Sequence, residues 1–232
     1  MTPTSPESTF PPVRVRVWDL PTRLFHGLLA LAVIGAVVSA KIGGNAMLWH
    51  ARLGLLVLAL LAFRLVWGLV GGHWSRWSRL VPSPGALGRY LRGQPRPGEL
   101  LEVGHSPTGG LAALALLALV GAQLATGLIS DDEIAFTGPL YAWVGSDLAL
   151  AATSWHRTWG QWLLLGMIGL HLGAIAFYRM RGNDLVRPML SGDKLLSVVA
   201  PASRDDVRAR ALALVLAGAC VALAAWVGAQ GG

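Results

Sequence analysis

Six histidines are the residues of this 232-residue chain best suited to hold a metal or a cofactor. Four of them, His26, His50, His156 and His171, fall in or at the ends of long apolar runs. An ionisable side chain surrounded by hydrocarbon is costly enough to signal function. One such histidine reads as a core residue bonded to a carbonyl; four on three runs do not. His156 and His171 lie 15 positions apart, which on one continuous helix is about 22 Å along the axis and about 60° around it. They share a side at two depths. That suits two cofactors stacked near opposite membrane faces better than a single zinc or di-iron site, whose ligands lie within a few ångströms of one ion.

The elements that must carry these histidines follow from composition. Hydrophobic residues make up 54% of the chain and charged residues 13%, a balance suited to the bilayer rather than to water. Five uncharged or nearly uncharged runs, at about 24–40, 48–70, 111–129, 155–178 and 211–229, are each near the roughly 20 residues that cross hydrocarbon as a helix. Val38-Ser39-Ala40 has the look of a signal-peptidase site. His26 near the start of that run, and Pro3, Pro6, Pro11 and Pro12 before it, argue against cleavage. There is no internal repeat.

Orientation follows from charge. Arg14, Arg16 and Arg23 precede the first run; Arg76, Arg79, Arg89, Arg92 and Arg96 separate the second from the third; Arg179, Arg181, Arg187, Lys194, Arg204, Arg208 and Arg210 separate the fourth from the fifth. The positive-inside rule puts these segments in the cytoplasm, the amino terminus inside and the carboxyl terminus outside. The loop 130–154 has Asp131, Asp132, Glu133 and Asp147 and no Lys or Arg. Topology and anionic lipid headgroups account for the net charge of +7 more simply than nucleic acid does. The proline-rich stretch 73–107 reads as an irregular loop with a short interfacial helix near 85–92, and 182–207 as a polar segment with a short surface helix.

Span direction pairs the histidines. His50 and His156 both fall at outer ends, His26 and His171 toward inner ends, although His171 sits higher above Arg179 than His26 sits past Arg23. The single cysteine, Cys220, lies in the fifth run as a small packing residue. With no CxxCH, any haem is held non-covalently. Gly54 and Gly160 come one turn after His50 and His156 and would leave room for a flat macrocycle; Gly121 and Gly127 offer the same, or ordinary small-residue packing. Arg52, Arg157 and Arg64 are placed to balance haem propionates, the first two outside and Arg64 deeper, with snorkelling as the plain alternative. His73 and His105 read as surface or loop-capping residues, His105 being the better functional candidate.

These fragments resemble a family. Val17-Trp18-Asp19-Leu20-Pro21-Thr22-Arg23-Leu24-Phe25-His26, Trp49-His50-Ala51-Arg52-Leu53-Gly54, Gly104-His105-Ser106-Pro107, Trp155-His156 and Leu170-His171 are similar, in order, to the bacterial cytochrome b561 and nickel-hydrogenase cytochrome b family. The resemblance covers about 13–194. It implies an all-α integral membrane protein: a four-helix transmembrane bundle (domain 1–194) binding two b haems through His26, His50, His156 and His171. A polar connector and an extra fifth C-terminal transmembrane helix follow (195–232). It also implies electron transfer with a quinone, ubiquinone or menaquinone, or with a redox protein. The expected function is an electron-transfer subunit joining the quinone pool to a periplasmic cytochrome c or a membrane-bound dehydrogenase or hydrogenase-type complex. Two alternatives stay open: a superoxide:quinone oxidoreductase, which the acidic outer loop disfavours, and a haem-free transporter or assembly protein with structural histidines.

Overall fold

Asp19 starts the first span. Its carboxylate accepts from Thr22 N at 2.8 Å, and Pro21 sits in the first turn, where its missing N–H costs nothing. In the computed structural model, which describes residues 11–134 and 136–231, helix α1 (Leu20–Ile42) turns back at Gly43 (φ 70°) into α2 (Met47–Val70). Pro3 and Pro6 lie outside the described residues. Two short helices, α3 (Trp77–Leu80) and α4 (Pro84–Leu91), occupy the proline-rich stretch, α4 being the expected interfacial helix. Ser106 caps α5 (Pro107–Leu128). The fourth span differs from the expected single helix: α6 (Ser146–Arg157) and α7 (Trp159–Met180) are broken at Thr158 (φ −112°, ψ −99°). The axial arithmetic for His156 and His171 therefore does not apply across the break. After the short α8 (Val186–Ser191), Asp206 caps α9 (Val207–Gly228). Five segments, 20–42, 44–70, 107–128, 146–180 and 207–231, are long and apolar enough to cross a membrane. The chain is a multi-pass membrane protein.

The spans pack α1 on α2, α2 on α5 and α9, and α5 on α6 and α7. Phe25, Val57, Leu60, Phe63, Trp67, Val120 and Leu164 fill the core, with Phe63 stacked on Trp67 at 5.6 Å. The face of α9 that meets this core is built of small residues, Ala209, Ala213, Cys220 and Ala224, which let two helix backbones approach where lipid supplies no hydrophobic drive. Leu31, Leu69, Leu170 and Leu214 point outward, as lipid-facing side chains do.

An all-α reading misses one element. Strand β1 (Val13–Arg16) pairs antiparallel with β2 (Asp193–Leu196), Val15 opposite Lys194. The boundary expected at 194/195 falls inside β2. Beyond it, Ser203 Oγ donates to Val17 O (2.6 Å) and accepts from Trp74 N (3.2 Å), and Asp205 accepts from Leu20 N (3.1 Å) and pairs with Arg210 (3.1 Å) and Arg16 (3.4 Å). The connector is thus stitched to the start of α1.

Beneath this cap Asp19 is fully buried. Besides Thr22 N it accepts from Trp67 Nε1 (3.1 Å), Gly72 N (3.1 Å) and Ser75 Oγ (2.6 Å), and Thr22 Oγ1 donates to Ser75 Oγ (2.7 Å). A Cβ at Gly72 would run into the carboxylate, so that position requires glycine. Each buried donor left unsatisfied costs about 1–3 kcal/mol. Asp19→Ala should therefore destabilise the protein several times more than Asp206→Ala, which removes only the cap of α9 at about 1 kcal/mol; thermal unfolding of the two variants in detergent, followed by circular dichroism, makes the comparison.

Candidate functional site

His50, near the start of α2, and His156, in the last turn of α6, face each other with ring centroids 5.9 Å apart and planes at 89°. Each ring is anchored through Nδ1: His50 to Ala36 O at 2.8 Å, His156 to Gln123 O at 2.8 Å. A carbonyl accepts only, so both Nδ1 atoms carry the hydrogen and both Nε2 lone pairs are left for a metal. Two imidazoles on opposite sides of one ion, at roughly 2 Å each, have centroids about 6 Å apart.

The pair borders a cavity of about 940 Å³ between α1, α2, α5, the α6–α7 break, the 130–139 loop and the end of α9. Gly54 lines it, and a Cβ there would meet nothing within 4 Å. Gly127 lines it too, with the His156 ring lying where its side chain would be, 3.0 Å from Cε1. The room made by Gly160 is taken up differently, by the Gln123 amide and the Trp155 indole. Arg157 borders the cavity; Arg52 does not, its guanidinium resting over the Trp49 ring at 5.2 Å.

Two residues of this wall were missed in the sequence. Gln123 donates to His156 O at 3.1 Å, and its polarity inside an apolar run was the available signal. Lys41 lines the cavity from the end of α1 and donates to Gln161 Oε1 at 3.2 Å; it looked like a short loop's residue.

A second group forms at the Asp19 end of the bundle. His26 in α1 and His171 in α7 come within electrostatic reach of each other and of His105 and Arg64. Arg64 is only 5% exposed, its guanidinium 4.4 Å from the Trp77 ring centroid, and its Nη1 is buried without a hydrogen-bond partner. His105 is not the surface residue expected. Its ring meets Trp18 edge-on at 4.8 Å and its Nδ1 is buried without a partner. Burial, with the charges of Arg64, His26 and His171 adding to it, pushes its imidazole down to about 4. His73 is half-buried against Trp74, ring centroids 4.9 Å apart, and its Nε2 too is buried without a partner. Among the described residues no three His, Cys, Asp or Glu side chains converge as a metal cage would need; His50 and His156 face each other, and His26 lies within electrostatic reach of His171.

The model of one family, prokaryotic cytochrome b561, matches residues 17–192, a stretch that holds every one of these side chains. The chain belongs to that family. Comparisons with curated proteins and with solved structures returned no match. Membership makes it a membrane electron-transfer cytochrome of a haem-b-binding family and removes the haem-free alternative. The residues present fit the group: two imidazoles with Nε2 free flank a cavity that glycines keep open, and at the other end Arg64 Nη1 and His105 Nδ1 are buried without partners.

The fit at Gly127 is tight. Gly127→Val should push the His156 ring off its line, lowering haem content or splitting the low-spin electron paramagnetic resonance signal, whereas Gly121→Val, where a Cβ meets nothing within 4 Å, should leave the spectrum unchanged.

Proposed function

We propose that this cytochrome carries electrons across the bacterial inner membrane on two haem b groups, one held by His50 and His156 and the other by His26 and His171. The observation that carries the reading is the outer pair: two facing imidazoles with both Nδ1 hydrogens committed to helix carbonyls. Bound haem b supplies a one-electron couple, and six-coordinate iron has no open position for a substrate. What the chain does is hold, orient and insulate. Ala36 O and Gln123 O fix the outer tautomers; Lys41 and Arg157 at the cavity wall balance outer carboxylates, and Arg64 does so inside. The first four spans form the haem-binding unit, and α9 braces α2. Basic segments at the Asp19 end face the cytoplasm, in keeping with the positive-inside rule, so the amino terminus is inside and the carboxyl terminus outside. Electrons pass between the quinone pool, ubiquinone or menaquinone, and a redox partner.

For the partner, a positively charged periplasmic cytochrome c fits the acidic loop. Glu133 is exposed there, while Asp131 and Asp132 cap the loop's own N–H groups and Asp132 reaches the cavity wall. One observation favours a second reading, superoxide:quinone oxidoreductase: Lys41 and Arg157 place cations at the outer cavity despite the acidic loop. Two superoxide ions would each give up one electron, and with two protons these reduce quinone to quinol. Superoxide-driven quinol formation by the purified protein would select that reading.

Pyridine haemochrome analysis should give two haems per chain. His50→Ala and His156→Ala should each remove the same spectral component, and His26→Ala and His171→Ala the other; depletion of one component by His50→Ala and His171→Ala alike would refute the pairing. With the native partner, electron exchange should slow as ionic strength rises, and neutralising Asp131, Asp132 and Glu133 together should flatten that dependence, because surface charges act over about 8 Å at physiological salt.

A further inference from the structure

We infer that His105 is a positioning residue for the inner haem: its Nδ1–H, beside the Arg64 guanidinium, holds a propionate carboxylate of that group. The inference rests on the proposed ligation by His26 and His171 and adds to it a residue that is not a ligand.

The starting point is unmet hydrogen bonding. Arg64 Nη1 and His105 Nδ1 are both buried without a partner, and they share one end of the bundle with His26 and His171. Buried donors are almost always satisfied, and although Asp19 acts electrostatically on the Arg64 guanidinium it gives Nη1 no acceptor. The Trp77 face under Arg64 compensates only part of that charge, since cation–π contact is worth about 0.5–2 kcal/mol. The missing partner has to be an anion able to accept several hydrogen bonds.

Asp19 takes four donors, Asp205 takes Arg16, Arg210 and Leu20 N, Asp193 pairs with Arg16, Glu99 pairs with Arg89, and Glu102 is within electrostatic reach of Lys194. A carboxylate brought in on a cofactor matches what is left, one charge for Arg64 and one lone pair for His105. A neutral imidazole is sufficient for this role, because Nδ1–H donates without being charged.

His105 is held in the right place by its neighbours. Trp18 lies against its ring at 4.8 Å and is itself tied by Trp18 N to Gly192 O at 3.0 Å. Ser106 then caps α5, and the missing side chain of Gly104 leaves room for Trp74, 2.9 Å from where its Cβ would be. Such packing fixes a ring that has a directional task more than one that only fills space.

The test uses His105→Leu, which removes the donor, and His105→Asn, whose amide can donate from near the position of Nδ1. Both proteins are assayed for haem content and titrated potentiometrically at the α-band. Both should keep two haems per chain. In His105→Leu the inner component alone should fall in midpoint potential, because an unbonded carboxylate puts more negative charge near the iron and stabilises its oxidised form; His105→Asn should return it toward the parent value. An unshifted inner component in His105→Leu overturns the inference, as does loss of the inner haem from both variants, which would assign His105 to the iron or to the fold. Retention of both components in His26→Ala and His171→Ala would instead overturn the ligation reading, so the two failures are distinguishable.

Discussion

The buried carboxylate of Asp19 joins the two helices that carry His26 and Arg64. It caps α1, and two turns further along that helix stands His26. It receives Trp67 Nε1 from the last turn of α2, one turn beyond Arg64, and Gly72 N from just past the end of that helix. A carboxylate in this position has no water to fall back on, so it is stable only while its donors remain in place. The start of α1, the end of α2 and the 72–75 turn are therefore held as one unit, and the depth of His26 and Arg64 is set by that unit rather than by lipid.

The same scarcity of water accounts for the outer pair. An imidazole in hydrocarbon needs its N–H satisfied, and the nearest acceptors are helix carbonyls. Ala36 O on α1 takes the His50 hydrogen and Gln123 O on α5 takes that of His156. Meeting that need also turns each ring so that its other nitrogen faces the cavity. Fold stability and ring orientation are served by one hydrogen bond.

Helix α5 carries neither residue of the outer histidine pair nor His26 or His171, yet it shapes both sites. Gln123, Thr126 and Gly127 near its end receive His156, Thr126 Oγ1 lying 3.3 Å from Nδ1. His105 immediately precedes its start. The fifth span, α9, touches the cavity only at its end, through Gly228. Its alanine-rich face grips α2, and the connector leading to it, through Ser203 and Asp205, closes the cap over Asp19.

Much of this was determined by sequence alone, because the bilayer imposes strong local rules. Span number, the four histidines of the apolar segments, the short helix at α4 and the packing role of Cys220 all follow from local hydropathy and residue type. Other features depended on contacts between distant segments. The β1–β2 ribbon pairs residues nearly 180 positions apart and neither strand is long enough to announce itself. The break at Thr158 lies in a stretch of Trp, Arg and Gly that reads as continuous helix, and it moves Gly160 away from the face assigned to it. Lys41, Gln123 and His105 gained their places only through what packs against them. Periodicity along one chain fixes which side of a helix a residue is on; whether that side meets lipid, a carbonyl or an open cavity is decided by the neighbouring helix.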